Sequence, residues 1–167
     1  MMDGKGYLRV ADLGCAKAIP CPSIERARGD GTSDINPRSF TKLGTLRYMA
    51  PELLTGEGHT RSVDLWAIGV VLFEMVTGSC SFTCRGLNFA SNVSTTRKLD
   101  ILFPDEFDQK TGGPHCKELI SQLIVLDPER RLGYEGASLA GIKRHALFEG
   151  LDWDRLTAKG YDPPWIP

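Results

Sequence analysis

No stretch of this sequence is apolar for the roughly 20 residues that a helix needs to span a bilayer. The longest such run, around Leu65 to Val76, follows Asp64 and is interrupted by Glu74, so no transmembrane segment is expected. Charge of one sign is not in excess either. With 20 basic against 21 acidic side chains in 167 residues, nothing drives the chain toward nucleic acid or an anionic membrane surface. The N-terminal MMDGKGYLRV lacks both a basic leader and an apolar stretch ending in a small-residue cleavage site, and a cytoplasmic setting follows by default. The five cysteines, at 15, 21, 80, 84 and 116, are odd in number, and only Cys80 and Cys84 approach the spacing of a metal-binding pair. Reduced, unlinked thiols are therefore expected, rather than a zinc site or a disulfide framework.

What is present suffices for a folded domain: 41% apolar residues with a quarter charged is ordinary globular composition. Residues 3 to 12 open with the turn signal DGKG and continue as YLRVAD, where Leu8 and Val10 alternate with Tyr7, Arg9 and Ala11 at strand period, as at the end of a β-hairpin. From Cys15 to Arg38 Gly, Pro, Ser and charged residues predominate without period, which predicts a long loop. Residues 61 to 77, RSVDLWAIGVVLFEMVT, are apolar on nearly every face and predict a helix that needs neighbours all round. Residues 115 to 126 instead place Leu119, Ile120, Leu123 and Ile124 on one helical face. Asp127-Pro128 has the chemistry to cap and start a short turn, and Ser138 that to cap a further helix carrying Leu139, Ile142 and Leu147. Ser79 to Thr96 gives mixed signals, read as loop with a short helix.

Asp12, before Leu13-Gly14, is a weak signal alone, because an aspartate at a strand end is usually a solvated turn residue. Three segments further along the chain, in a fixed order, add to it: GTLRYMAPELL at 44 to 54, DLWAIG at 64 to 69 and DPERRLG at 127 to 133. Together these segments resemble the C-terminal half of a eukaryotic protein kinase domain, whose signature includes a D-F-G turn, an activation loop and an A-P-E segment. The resemblance covers almost the whole chain. It implies a mainly α fold, the C-terminal lobe of a protein kinase, with a short N-terminal β-hairpin remnant and the N-lobe absent. It divides the chain into a partial kinase domain at 1–150 and the start of a C-terminal tail at 151–167.

The resemblance also implies roles. Asp12 becomes a ligand for Mg²⁺ bridging the phosphates of ATP, with Leu13 in the place of the usual phenylalanine. Asp12 to Glu52 becomes an activation segment longer than the family usually shows. Thr41, three residues before Gly44, takes the position of the phosphorylated residue, with Ser39 as the neighbouring alternative. Lys17 takes that of a cation ordering the phosphate, the alternative being a solvated surface lysine. Thr45, ahead of Tyr48 and Ala50-Pro51-Glu52, resembles the serine/threonine-specific form of the substrate loop, so the expected partner is a protein hydroxyl. Glu52 is matched with Arg131, with Arg130 as rival. Asp64 is expected both to cap the central helix and to hold the backbone of the catalytic loop.

The close of the chain, IKRHALFEGLDWDRL and YDPPWIP, resembles AGC-group kinases, and FPDEF, VLDPERRLG and GLDW look most like the 3-phosphoinositide-dependent protein kinases. GSCSF, where a Pro-Pro-Phe type of segment is usual, departs from the pattern. No G-x-G-x-x-G, V-A-I-K or H-R-D occurs between Met1 and Pro167, so the catalytic base, the strand lysine and the second metal ligand are expected from a missing N-lobe and catalytic loop. Two readings remain: a piece of a serine/threonine kinase inactive by itself, or a non-catalytic kinase-like interaction module.

Overall fold

A computed structural model of the chain describes residues 1–19, 38–78, 99, 101–109, 112–134 and 138–166. The expectations for 20–37, for 79–96 and for Cys80 with Cys84 lie outside them. The described part is mostly helical. The α-helices are α1 (Pro51–Thr55), α2 (Ser62–Thr77), α3 (Gly113–Leu123), α4 (Ser138–Lys143) and α5 (Trp153–Thr157). Short 3-10 turns at Leu13–Cys15, Leu46–Tyr48, Phe107–Gln109, Pro128–Arg130 and Ala146–Phe148 join them. Among the described residues no helix is long and apolar enough to cross a membrane.

The core forms where α2 meets α3. Trp66, Val70 and Phe73 of α2 pack with Cys116 and Ile120 of α3, Ile124 just beyond it, Phe107 and Ala50, all at most 3% exposed. Leu65 closes with Leu119 and Leu123 on the adjoining side. The four apolar residues predicted on one face of the second helix are thus all buried. Gly69 is what lets the helices approach, since a Cβ there would lie 2.7 Å from Ile124 Cγ1 and 2.9 Å from Leu123 Cβ. Phe103 fills the end of this layer, edge-on to Phe107 at 4.7 Å between ring centroids, a favoured aromatic geometry.

Three expectations need correction. The N-terminal hairpin is a single antiparallel bridge, Met2 with Leu8, flanked by Asp3 N–H donating to Tyr7 O at 2.9 Å and Arg9 N–H donating to Met1 O at 2.8 Å; the residues from Leu8 to Ala16 are exposed, and among the described residues no strand extends the ladder. Asp64 does not cap α2. Arg61 holds the cap position without a side-chain bond, and Thr60 Oγ1 accepts from Ser62 N–H at 3.3 Å, so the cap lies three residues before Asp64 and leaves Asp64 in the first turn. There its charge still suits the positive end of the helix dipole. Finally, Leu139 of α4 is 61% exposed, and α4 ends before Leu147, which packs on the core from the following 3-10 turn. Asp127 acts as expected, its Oδ1 accepting from Glu129 N–H at 3.0 Å.

Candidate functional site

Asp12 stands at φ 61°, ψ 72°, in the left-handed region that aspartate tolerates better than most side chains. Its Oδ1 accepts from Gly14 N–H at 3.3 Å and Ala16 N–H returns to Leu13 O at 2.9 Å, so a tight turn comes at once. The residue is exposed, and one carboxylate oxygen remains available to a ligand. Among the described residues no group of three or more His, Cys, Asp or Glu could hold a metal ion. A hard cation such as Mg²⁺ takes oxygen ligands, and the exposed Asp12 carboxylate would offer it one.

Beyond the turn lies a cavity of about 420 Å³ whose lining includes Gly14, Lys17, Thr41, Thr45, Tyr48 and Asp64. Sequence-distant candidates thus share one space, which the turn after Asp12 enters through Gly14 and Cys15 while Asp12 itself is not part of the lining. Lys17 Nζ donates to Ser39 Oγ at 3.2 Å, and Ser39 pairs through its backbone with His59 in both directions at 2.8 Å. Ser39 is 2% exposed, whereas Thr41 two residues on is exposed. Burial, the largest influence, pushes the His59 imidazole below its ordinary value, with nearby Lys17 acting the same way and Glu52 opposing.

Thr45 precedes the 3-10 turn Leu46–Tyr48 without capping it through its side chain. What fastens this loop is Tyr48, whose hydroxyl donates to Glu74 Oε2 of α2 at 2.8 Å, with Arg47 Nη1 at 3.8 Å from Oε1 of the same carboxylate. Sequence reasoning marks Glu74 only as a break in an apolar run. The signal is there, since a lone acid on an apolar helix needs a partner.

Glu52, at the start of α1, meets Arg131 through two parallel bonds, Nη1 to Oε1 at 2.6 Å and Nη2 to Oε2 at 2.7 Å. Arg131 also donates to Ser62 O, Val125 O and Leu126 O, and its guanidinium lies over the Trp66 ring at 5.2 Å. The pair is buried, and every bond needed to keep both charges there is made. Arg130 sits exposed at the end of the preceding turn.

The family model described as protein kinase domain matches residues 1–146. The serine/threonine-protein kinase gad8 of Schizosaccharomyces pombe is 36% identical over 170 residues, which cover all of this chain and 26% of that protein. The serine/threonine-protein kinase YPK1 of Saccharomyces cerevisiae is 36% identical over 167 residues, again all of this chain and 21% of the relative. Human ribosomal protein S6 kinase alpha-4 is 32% identical over all of this chain and 20% of its own length. The chain thus spans about a quarter or less of the curated relatives it matches. A particular likeness to 3-phosphoinositide-dependent protein kinases finds no support among them. The chain belongs to the protein kinase family.

Proposed function

We propose that residues 1–167 serve a serine/threonine protein kinase of the AGC group, which transfers the γ-phosphoryl group of ATP to protein Ser or Thr hydroxyls. The observation that carries this reading is the shared cavity beside the Asp12 turn, lined by Lys17, Thr41, Thr45 and Asp64. Residues 1–150 form part of the kinase domain, chiefly its helical C-terminal lobe, and 151–167 begin the tail. Such a protein works in the cytoplasm on protein substrates.

Asp12 holds Mg²⁺, the ion that neutralises charge on the transferring phosphate of ATP. Thr45 and the turn after it receive the substrate segment, braced on α2 through Tyr48 and Glu74. Glu52 with Arg131 ties the end of the loop to the helical core, and Asp64 holds the backbone of a catalytic loop supplied elsewhere. Thr41 is the activation-loop phosphosite. It is exposed and its own N–H reaches the hydroxyl that Lys17 contacts, while a phosphate on buried Ser39 would break the packing around His59. Stoichiometric phosphate on Thr41 in phosphopeptide maps of the active kinase is the expected result; modification of Ser39 with none on Thr41 would refute the assignment.

The test of the whole reading is Asp12→Asn in a protein carrying these residues together with an ATP-binding lobe and catalytic loop. Loss of phosphate transfer to a basic peptide with retained melting temperature is expected, and full activity would overturn the role of Asp12. A non-catalytic, kinase-like interaction module is the second reading, favoured by an apolar stripe on α2 at Ile68, Val71 and Met75 that lies open. Binding of a partner protein by the Asp12→Asn variant, with no transfer by either form, would favour it.

A further inference from the structure

Asp12 belongs to a stretch with little to hold it. Residues 8 to 16 are all exposed, and the hydrogen bonds that Asp12 and the turn after it make are local, Gly14 N–H to Asp12 and Ala16 N–H to Leu13. On its C-terminal side the nearest anchor is Lys17 on Ser39. On its N-terminal side the anchors are Arg9, which exchanges backbone bonds with Met1 at 2.8 and 3.0 Å, and the turn at residues 3 to 7, which is gripped from the far end of the chain.

The grip has two parts. The Tyr7 hydroxyl donates to Tyr161 O at 2.6 Å and accepts from Tyr161 N–H at 3.1 Å, so it is held in both senses by one residue of the tail. Asp3 takes the N–H groups of Lys5 and Tyr7, each at 3.0 Å, on one oxygen, and on the other the Lys159 ammonium and, at 3.4 Å, Arg9 Nε. The Asp3 carboxyl is held well below the usual carboxylate range, first by Lys159 and then by Tyr7 N–H. Gly6, at φ 82°, leaves room for the tail: a Cβ there would lie 2.8 Å from the Pro163 ring.

The tail is itself braced. The Tyr161 hydroxyl accepts from Asp152 N–H at 3.1 Å, Arg155 lies 4.4 Å from the Tyr161 ring centroid, and Trp153 sits edge-on to Phe148 at 5.1 Å. Phe148 packs on the cluster around Leu65 and Leu123. A continuous run of contacts therefore joins the α2–α3 core to the segment that ends in Asp12.

We infer that the C-terminal segment from Trp153 to Trp165 sets the position of the Asp12 carboxylate, with Tyr7, Asp3 and Lys159 as positioning residues. The inference rests on the reading of Asp12 as a Mg²⁺ ligand. Freeing the turn leaves the carboxylate in place chemically but lets it wander, which weakens metal binding more than it weakens the fold.

The test uses a protein carrying residues 1–167 with its ATP-binding lobe and catalytic loop, and compares Tyr7→Phe, Lys159→Met and the conservative Lys159→Arg. Expected are faster hydrogen exchange over residues 8–16 with α2 and α3 unchanged, and a several-fold rise in the Mg²⁺ concentration for half-maximal rate. That rise should fall short of the ~10-fold given by loss of a direct partner of a metal ligand, and Lys159→Arg should restore both readouts. Unchanged exchange and Mg²⁺ dependence would overturn the inference, as would faster exchange with unchanged Mg²⁺ dependence, or Lys159→Arg behaving as Lys159→Met. Asp12→Asn separates the two levels. If it abolishes transfer while the positioning variants leave Mg²⁺ dependence alone, only the inference fails; if it retains transfer, the reading of Asp12 fails, and exchange still reports whether the tail holds the segment.

Discussion

The two faces of α2 are made of the same kind of residue and have opposite fates. On one, Trp66, Val70 and Phe73 are 0%, 1% and 3% exposed; on the other, Ile68, Val71 and Met75 are 51%, 43% and 70% exposed. Val70 and Val71 are neighbours, so composition cannot account for the difference. What differs is the covering: α3 and the phenylalanines around Phe107 close one face, and among the described residues nothing closes the other. Full burial of a side chain of this size contributes about 1.5 to 3 kcal/mol, so a helix apolar all round marks a place for something more to pack.

The covered face should break hardest at the Glu52–Arg131 pair beside Trp66. Arg131→Ala leaves Glu52 as a buried lone charge and should cost roughly 3 to 5 kcal/mol, against about 1 or less for exposed Arg130→Ala. Thermal melts compare the two, and equal midpoints would show that the pair does not hold the lobe. A sharper contrast comes from adjacent valines. Val70→Thr buries a hydroxyl that can reach only the carbonyl one turn back, at about 1 to 3 kcal/mol, while Val71→Thr should fall within about 0.5 kcal/mol and reduce self-association. Denaturant titration and light scattering together read both, and equal destabilisation would mean that the second face is covered after all.

The smallest effect expected is the pH dependence from His59. Burial lowers its folded-state pKa, so the unfolded chain takes up a proton near the ordinary value of about 6.5 that the folded chain resists. Stability should therefore decline as pH falls below about 6.5, by no more than about 1.4 kcal/mol per pH unit from this residue. A His59→Gln variant should flatten that part of the profile, and an unchanged slope would assign the decline to other groups.

The helices were legible from the sequence because their physics is local. A one-sided apolar period made α3 visible, and Asp127 before Pro128 announced its turn. The motifs placed Glu52 opposite Arg131 through family likeness, since nothing in the spacing alone brings them together. Asp64 misled because the acid nearest the helix start looked like its cap, while the less conspicuous Thr60 hydroxyl takes the first N–H. The contacts left unread are long-range ones. Tyr48 reaches Glu74 across a change of element, and Tyr7 and Asp3 meet residues about 155 positions away. No period or motif encodes such pairings, and neither could periodicity tell which face of α2 finds a neighbour.

The most direct test is on residues 1–167 alone, with oligomeric state by light scattering and phosphate transfer from Mg-ATP to a basic peptide. Self-association through the open face of α2 and no transfer are expected, because a single aspartate cannot position ATP without a strand lysine, a catalytic base and a second metal ligand. A soluble monomer with turnover above that of an Asp12→Ala control would contradict this expectation.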